Sequence, residues 1–416
     1  MATRRAFLVM SAAALAAPHV ASAQGAGRVV VIGGGFAGAT CARTLKAIEP
    51  KLSVSLVERD PVFTACPFSN GVLGGLRDIR QQQFTLDGVE RAGVSIARGM
   101  AVGVDGKEVV LDGGKRLGFD RLVVAPGIDL NWGALPGYGE AAAETMPHAW
   151  KAGAQTVLLR RQLEAMDDGG VVAISAPANP YRCPPGPYER ASLIAQYLKA
   201  KKPKSKLLLL DAKDAFSKQR LFQDAWARLY PGMIEWVPLS KGGKVVSVDA
   251  AAMTLKTEFA QHKVAVANVI PPQRAGQIAT VAGVADRSGW CPVEPLSFES
   301  TLRPGVHVLG DAAIMGAMPK SAFAANAQAK VCAAAIVARL AGREPAEPLL
   351  INTCYSLVAP DYGITVAGVY RPTNGRLADI QGAGGVSPPD ASAAFRAREA
   401  LYAEGWFRTI TSETFG

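Results

Sequence analysis

Three cysteines in this chain stand where a thiol could do chemistry. Cys66 lies in Phe63-Thr64-Ala65-Cys66-Pro67-Phe68-Ser69-Asn70, Cys183 in Tyr181-Arg182-Cys183-Pro184-Pro185, and Cys354 in Asn352-Thr353-Cys354-Tyr355-Ser356. A thiolate can attack an electrophile, carry a covalent cofactor or exchange with a disulfide. The other three cysteines read as packing: Cys41 and Cys332 sit inside helical apolar patterns, and Cys291 lies beside Trp290 and Pro292, where cysteine behaves as a small hydrophobe. No Cys-x-x-Cys zinc pair and no Cys-x-x-Cys-His run occurs, so zinc binding by such a pair and haem attachment are excluded. Of the four histidines, His19 belongs to the N-terminal leader, and His148, His262 and His307 lack metal-ligand spacing.

A second chemical feature is Gly33-Gly34-Gly35-Phe36-Ala37-Gly38. Gly33 and Gly35 permit a tight turn and the close approach of a pyrophosphate, and Gly38 lets helix and strand pack. Glu58, 20 residues after Gly38, stands where an acid accepts the ribose hydroxyls. The elements around these residues have the required order. Arg28 to Ile32 is a β-branched run suited to a buried parallel strand, Ala39 to Ile48 reads as a helix whose N-terminus faces the phosphates, and Ser53 to Val57 is a second strand.

Further along, Val306-His307-Val308-Leu309-Gly310-Asp311 is a short strand ending in Gly-Asp, followed by the Ala-rich helical pattern Ser321 to Ala341. It resembles the second flavin-binding motif of the two-dinucleotide-binding-domain flavoproteins, which implies that Asp311 contacts the ribityl chain of FAD. Leu122-Val123-Val124-Ala125-Pro126-Gly127 resembles their middle motif, with Pro126 in place of the usual Thr and Gly127 kept. A second dinucleotide site is expected in the middle of such a chain if it uses NAD(P)H. The strands Gly170 to Ser175 and Lys206 to Asp211 are there, but the stretch from Pro177 to Pro187 between them carries prolines where glycines should be. Proline has no N–H to offer a phosphate, so the middle domain keeps the fold without the nicotinamide site.

With these three cysteine motifs in place, the chain resembles the flavoprotein subunit of flavocytochrome c sulfide dehydrogenase, from its N-terminal leader to Glu404-Gly405-Trp406-Phe407. The resemblance implies that Cys66 forms a thioether to the 8α-methyl of FAD and that Cys183 and Cys354 form a redox-active disulfide against the flavin. Hydrosulfide is then the substrate, and a c-type cytochrome subunit, carried as a heterodimer, is the electron acceptor. Glu189, six residues after Cys183, is the implied proton acceptor; a surface carboxylate is its plainer reading. A static disulfide is the plainer reading of the cysteine pair. For Trp406, docking a partner, lining the flavin site and core packing all stay open.

Composition bounds the rest. The length of 416 residues allows two or three domains. Although Lys+Arg outnumber Asp+Glu by 45 to 35, the excess is scattered and not interleaved with aromatics, so a nucleic-acid role has little support. Thr3-Arg4-Arg5-Ala6-Phe7-Leu8 resembles a twin-arginine export signal, with Ala21-Ser22-Ala23 as its cleavage site; residues 1–23 are read as that signal, which implies a periplasmic protein exported already folded. No later segment is apolar enough to span a membrane.

The expected fold class is α/β, with two doubly wound Rossmann-like domains and a C-terminal α+β interface domain. Residues 26–148 with 285–345 are assigned to FAD, 149–284 to the middle domain and 346–416 to the last. Three other readings share part of this pattern: a sulfide:quinone oxidoreductase, an NAD(P)H-dependent reductase, and an accessory flavoprotein that binds sulfur-oxidising partners without turnover. Arg396, Arg398, Glu399 and Glu404 in the tail from Ala391 to Phe407 argue against the membrane-dipping helix that the first requires.

Overall fold

The computed structural model describes residues 27–416, and the stretch 1–23 read as an export signal lies outside them. Its first sheet has five parallel strands in the order Val306–Val308, Arg121–Val124, Arg28–Ile32, Ser53–Glu58 and Ser95–Arg98. Val29 to Ile32 and Leu122 to Val124 are buried, as strands covered on both faces must be. The strand Val306–Val308 comes from nearly two hundred residues downstream, yet it pairs with Arg121–Val124 and so brings Gly310 and Asp311 to the same sheet end as the glycine turn.

Helices Phe36–Ile48 and Ala322–Leu340 pack together on this sheet. Buried Cys41 lies against buried Cys332 across this contact, Asn326 Nδ2 donates to Thr40 Oγ1 at 3.1 Å, and the alanines Ala39, Ala42, Ala329 and Ala333 of the two helices are buried too. Small side chains let the two backbones approach, and here cysteine serves as packing. Ser321, expected as the first helical residue, is the cap instead: its Oγ accepts from the Ala324 N–H at 3.0 Å.

The middle sheet is parallel, in the order Ile234–Val237, Lys206–Asp211, Val171–Ala176 and Val266–Val269. Helix Gly186–Lys201 leaves the end of strand Val171–Ala176. The last unit is antiparallel: Leu350–Ala359 pairs with Tyr362–Thr373, which also pairs with Arg376–Asp379. Helix Ala393–Phe415 covers this sheet.

Three charges of that helix, Arg396, Glu399 and Glu404, are engaged by other groups of the protein. Arg396 and Glu399 are buried and paired at 3.1 Å, while Glu404 receives two bonds from the Arg77 guanidinium at 2.7 and 2.9 Å. The Arg77–Glu404 pair ties the helix to the rest of the chain, and Arg398 stays exposed. Among the described residues no helix is long and apolar enough to cross a membrane.

Candidate functional site

A cavity of about 480 Å³ opens where the first sheet, helix Gly186–Lys201 and strand Leu350–Ala359 meet. Gly33, Gly35, Glu58, Cys66, Gly127, Cys183, Glu189, Gly310, Asp311 and Cys354 all line it. Of the site residues read from the sequence, Gly38 alone lies off the wall, beneath the turn. A Cβ on Gly38 would fall on the carbonyl oxygen of Gly33, and one on Gly33, at φ +103, would fall on that of Ala125. The turn therefore needs glycine at both positions for steric reasons.

Glu58 sits beside this turn, its Oε2 accepting from the Gly34 N–H at 2.7 Å and its Oε1 from the Asp60 N–H at 2.9 Å. Two backbone donors fix the carboxylate, and each oxygen keeps a lone pair for a ribose hydroxyl. Asp311 is nearly enclosed. Burial raises its pKa, opposed by Arg182, whose guanidinium is 3.8 Å away, and by Lys320. Its Oδ1 is buried without a hydrogen-bond partner, and so is Nε1 of Trp150 on the same cavity wall. A buried acceptor and a buried donor left open call for a polar ligand with hydroxyl and carbonyl groups. The ribityl chain and ring edge of a flavin satisfy both, and the glycine turn at the helix N-terminus suits its pyrophosphate.

The three cysteines reach this cavity from different parts of the chain, and all three are free thiols in the structure. Cys66 precedes the short helix Ser69–Leu73, and its Sγ lies 3.6 Å from the carbonyl oxygen of Trp150. Cys183 has φ +57, a conformation that costs a non-glycine residue roughly 1 kcal/mol or more and tends to collect at functional sites. Its N–H donates to the Lys320 carbonyl, and its own carbonyl accepts from Gly186, both at 2.8 Å. Pro185 and Pro187 suit the first turn of the following helix, where an N–H has no helical partner. Burial pushes the Cys183 thiol well up, with Arg182 and Lys218 opposing that rise. Cys354 extends from strand Leu350–Ala359, where Asn352 Nδ2 donates to its Sγ at 3.3 Å.

Glu189 is enclosed in the cavity wall and not on the surface. Its Oε1 accepts from the Leu357 N–H and its Oε2 from Asn70 Nδ2, each at 2.8 Å, so it ties the Cys66 loop to the Cys354 strand. Burial raises its pKa, and those two bonds pull the other way. Arg190, buried behind it, donates to Asn70 Oδ1, Asn268 Oδ1 and the carbonyls of His148 and Ala149. His148 is neutral, held down to about 3 by burial, and its Nδ1 accepts from the Trp150 N–H. Trp406 lines the cavity, stacked with Phe323 and tilted against Tyr355.

Sequence reasoning missed Arg182, Arg190, Lys218 and Lys320. Arg182 adjoins a quoted cysteine, but nothing in its spacing pointed to Asp311; the other three lie in segments without a motif. At the end of the middle sheet, the chain's own side chains occupy the place where a dinucleotide would lie. Asp211 accepts from Tyr188 Oη at 2.6 Å, Lys213 Nζ at 2.6 Å and Trp236 Nε1 at 3.0 Å, and Tyr188 stacks on Phe216 at 3.6 Å.

Two Rossmann-like sheets and a cavity that joins a dinucleotide cradle to thiols define a flavoprotein oxidoreductase of the disulfide-reductase fold. Comparisons with known proteins agree with that class and narrow it. Residues 27–162 match the pyridine nucleotide-disulphide oxidoreductase family model. Residues 156–271 match the central part of the sulfide dehydrogenase [flavocytochrome c] flavoprotein chain, and 346–415 match the flavocytochrome c sulphide dehydrogenase flavin-binding region. Over 48 residues the chain is 54% identical to the sulfide dehydrogenase [flavocytochrome c] flavoprotein chain of Chlorobaculum thiosulfatiphilum, which is 12% of this chain and 100% of that sequence. The chain belongs to this family of flavoproteins, oxidoreductases that act on sulfide.

More distant similarity extends to the mitochondrial sulfide:quinone oxidoreductase of Mus musculus, 22% identical over 68% of this chain and 65% of that protein. Among solved structures, the sulfide:quinone oxidoreductase of Aquifex aeolicus shares the fold at TM-score 0.69 and 17% identity, covering 93% of this chain and 92% of that one. A putidaredoxin reductase does so at TM-score 0.65 and 17% identity, covering 93% of each chain.

Proposed function

We propose that this chain oxidises hydrosulfide to zero-valent sulfur at a Cys183–Cys354 disulfide, beside an FAD held through Cys66, and passes the electrons to a c-type cytochrome subunit in the periplasm. The observation that carries this reading is convergence: cysteines from three separate segments line one cavity together with Gly33, Glu58 and Asp311. A static staple has no need of a place on the wall of a nucleotide site. The domain limits and the twin-arginine signal given above belong to the same proposal.

When bound, FAD supplies a two-electron acceptor. Asp311, Glu58 and the glycine turn hold its polar parts, and Cys66 anchors its ring by a thioether. Hydrosulfide attacks one sulfur of the disulfide; that sulfur becomes a persulfide, S–SH, and its partner is released as a thiolate. Completion of the cycle removes one sulfur atom, one proton and two electrons per hydrosulfide and restores the disulfide. Glu189, with a free lone pair on each oxygen, takes the proton.

Acid precipitation of the holoprotein should leave the yellow colour in the pellet, and Cys66→Ala should release it to the supernatant. The variant should still bind FAD, because Gly33, Gly38, Glu58 and Asp311 are unchanged. Wild-type protein that loses all its flavin on precipitation refutes the covalent link.

NADH and NADPH should fail to bleach the flavin anaerobically at more than about one-hundredth of the sulfide rate, a difference of roughly 2.7 kcal/mol in barrier. The physical reason is the proline loop together with the Tyr188 and Phe216 stack at the middle sheet. Rapid bleaching by NADH would overturn this part of the reading. Reduction of a quinone by the purified chain, with no cytochrome accepting electrons, would favour the quinone acceptor.

A further inference from the structure

Lys218 stands beside the two thiols and has no part in the chemistry above. It precedes helix Gln219–Leu229 in left-handed backbone, φ 61 and ψ 27, which persists only where the surroundings impose it. Its ammonium is held by three acceptors. Nζ donates to the Cys354 carbonyl at 2.8 Å, to Ser356 Oγ at 2.8 Å and to the Ile364 carbonyl at 3.2 Å.

These acceptors place the charge near the Cys354 sulfur. Side chains two apart on a strand share a face, so Asn352, Cys354 and Ser356 form one row on Leu350–Ala359. Nζ binds Ser356 Oγ in that row and the backbone of Cys354 itself, while Asn352 reaches the Cys354 Sγ from the other side. Cys354 therefore lies between an amide donor and a cation. The titratable groups that surround the Lys218 ammonium are Cys354, Glu189, Cys183 and Glu399. Glu189 has its own donors in Leu357 and Asn70, and Glu399 has Arg396 and Ser387. The face of the Phe222 ring is 5.8 Å from Nζ.

We propose that Lys218 is a positioning residue of the dithiol, whose ammonium stabilises the thiolate left when the Cys183–Cys354 bond is opened. The inference rests on the sulfide reading above. Opening conserves atoms and charge: hydrosulfide and the disulfide become one persulfide and one thiolate, the old S–S bond breaking as the new one forms. A negative charge that entered as a mobile ion is then fixed in a desolvated site, where it needs a cation. Burial pulls Lys218 itself down to about 8, so this support is present below that pH and fades above it.

The test reads the thiols directly. The holoprotein is reduced with a phosphine, and alkylation of Cys183 and Cys354 by iodoacetamide is followed by peptide mass spectrometry from pH 5 to 10. Lys218→Gln keeps an N–H donor for the Cys354 carbonyl and loses the charge. It should raise the alkylation midpoint of Cys354 by about one pH unit or more, about tenfold slower labelling at neutral pH, and Lys218→Arg should restore it. Flavin absorbance and melting temperature report folding, and Lys218→Met is the second neutral variant should Gln fail to fold. An unmoved midpoint in the neutral variant, or an equal shift in Lys218→Arg, overturns the proposal. Alkylation needs no sulfide turnover, so failure here is distinct from failure of the sulfide reading, which would show as turnover retained without the cysteines.

Discussion

Cys183→Ser should abolish reduction of the flavin by sulfide, by on the order of a thousandfold or more, while dithionite still reduces it. Serine is nearly the size of cysteine. The backbone bonds of residue 183 to Lys320 and Gly186 are independent of the side chain, so the loop and the flavin cradle should stay intact. Cys354→Ser should behave alike, and the double variant should be no worse than either single, because the two sulfurs act as one unit. A staple would behave in the opposite way. Its loss would lower the melting temperature through the freed loop, worth roughly 5 kcal/mol for a span of this order, and would leave sulfide-dependent bleaching of the folded fraction near normal. Stopped-flow bleaching by sulfide, beside thermal melts of the same samples, separates the two. Sulfide oxidation retained in both single variants would remove the disulfide mechanism.

Gly38→Ala should destabilise the protein and weaken its non-covalent hold on the flavin. The added Cβ would stand well under 3.0 Å from the Gly33 carbonyl oxygen and press on Val31, so either the helix Phe36–Ile48 or the phosphate turn must move. Forced repacking of this kind costs about 1–3 kcal/mol, equivalent to a fall of roughly 2–12 °C in melting temperature for a domain of this size. The displaced turn is also the phosphate cradle, so in the Cys66→Ala background, where no thioether holds the flavin, FAD affinity should fall at least about tenfold, a loss of roughly 1.4 kcal/mol of binding. Gly405→Ala is the control. It lies in helix Ala393–Phe415 with open space around its Cα, and alanine there should be neutral or stabilising by up to about 1 kcal/mol. Unchanged melting of Gly38→Ala, together with unchanged FAD affinity in the Cys66→Ala background, would refute the steric account.

The cradle was legible because its physics is local. A β-branched run, a turn that only glycine can make and a helix that begins at once occupy consecutive residues, and Glu58 follows at the end of the next strand. The failed glycine pattern of the middle loop was legible in the same way, since proline carries its own conformational limit. What occupies that place was not, because Tyr188, Asp211, Lys213 and Phe216 come from separate elements and form no pattern along the chain. The partners of the last helix were hidden for the same reason: Arg396, Glu399 and Glu404 bond to Pro388, Ser387 and Arg77, which no pattern along the chain records.

Backbone sterics and hydrophobic patterning along the chain decided the fold class, the nucleotide turn and which cysteines stand apart from helical cores, because each depends on residues within a few positions of one another. The tertiary structure alone decided how those cysteines are supported. It returned Val306–Val308 to the first sheet and so set Asp311 in the cavity. It clamped Glu189 between Asn70 and Leu357, and brought Lys218 to the strand of Cys354. Those contacts join residues more than a hundred positions apart, and a charge acts through distance in space, which spacing along the chain does not record.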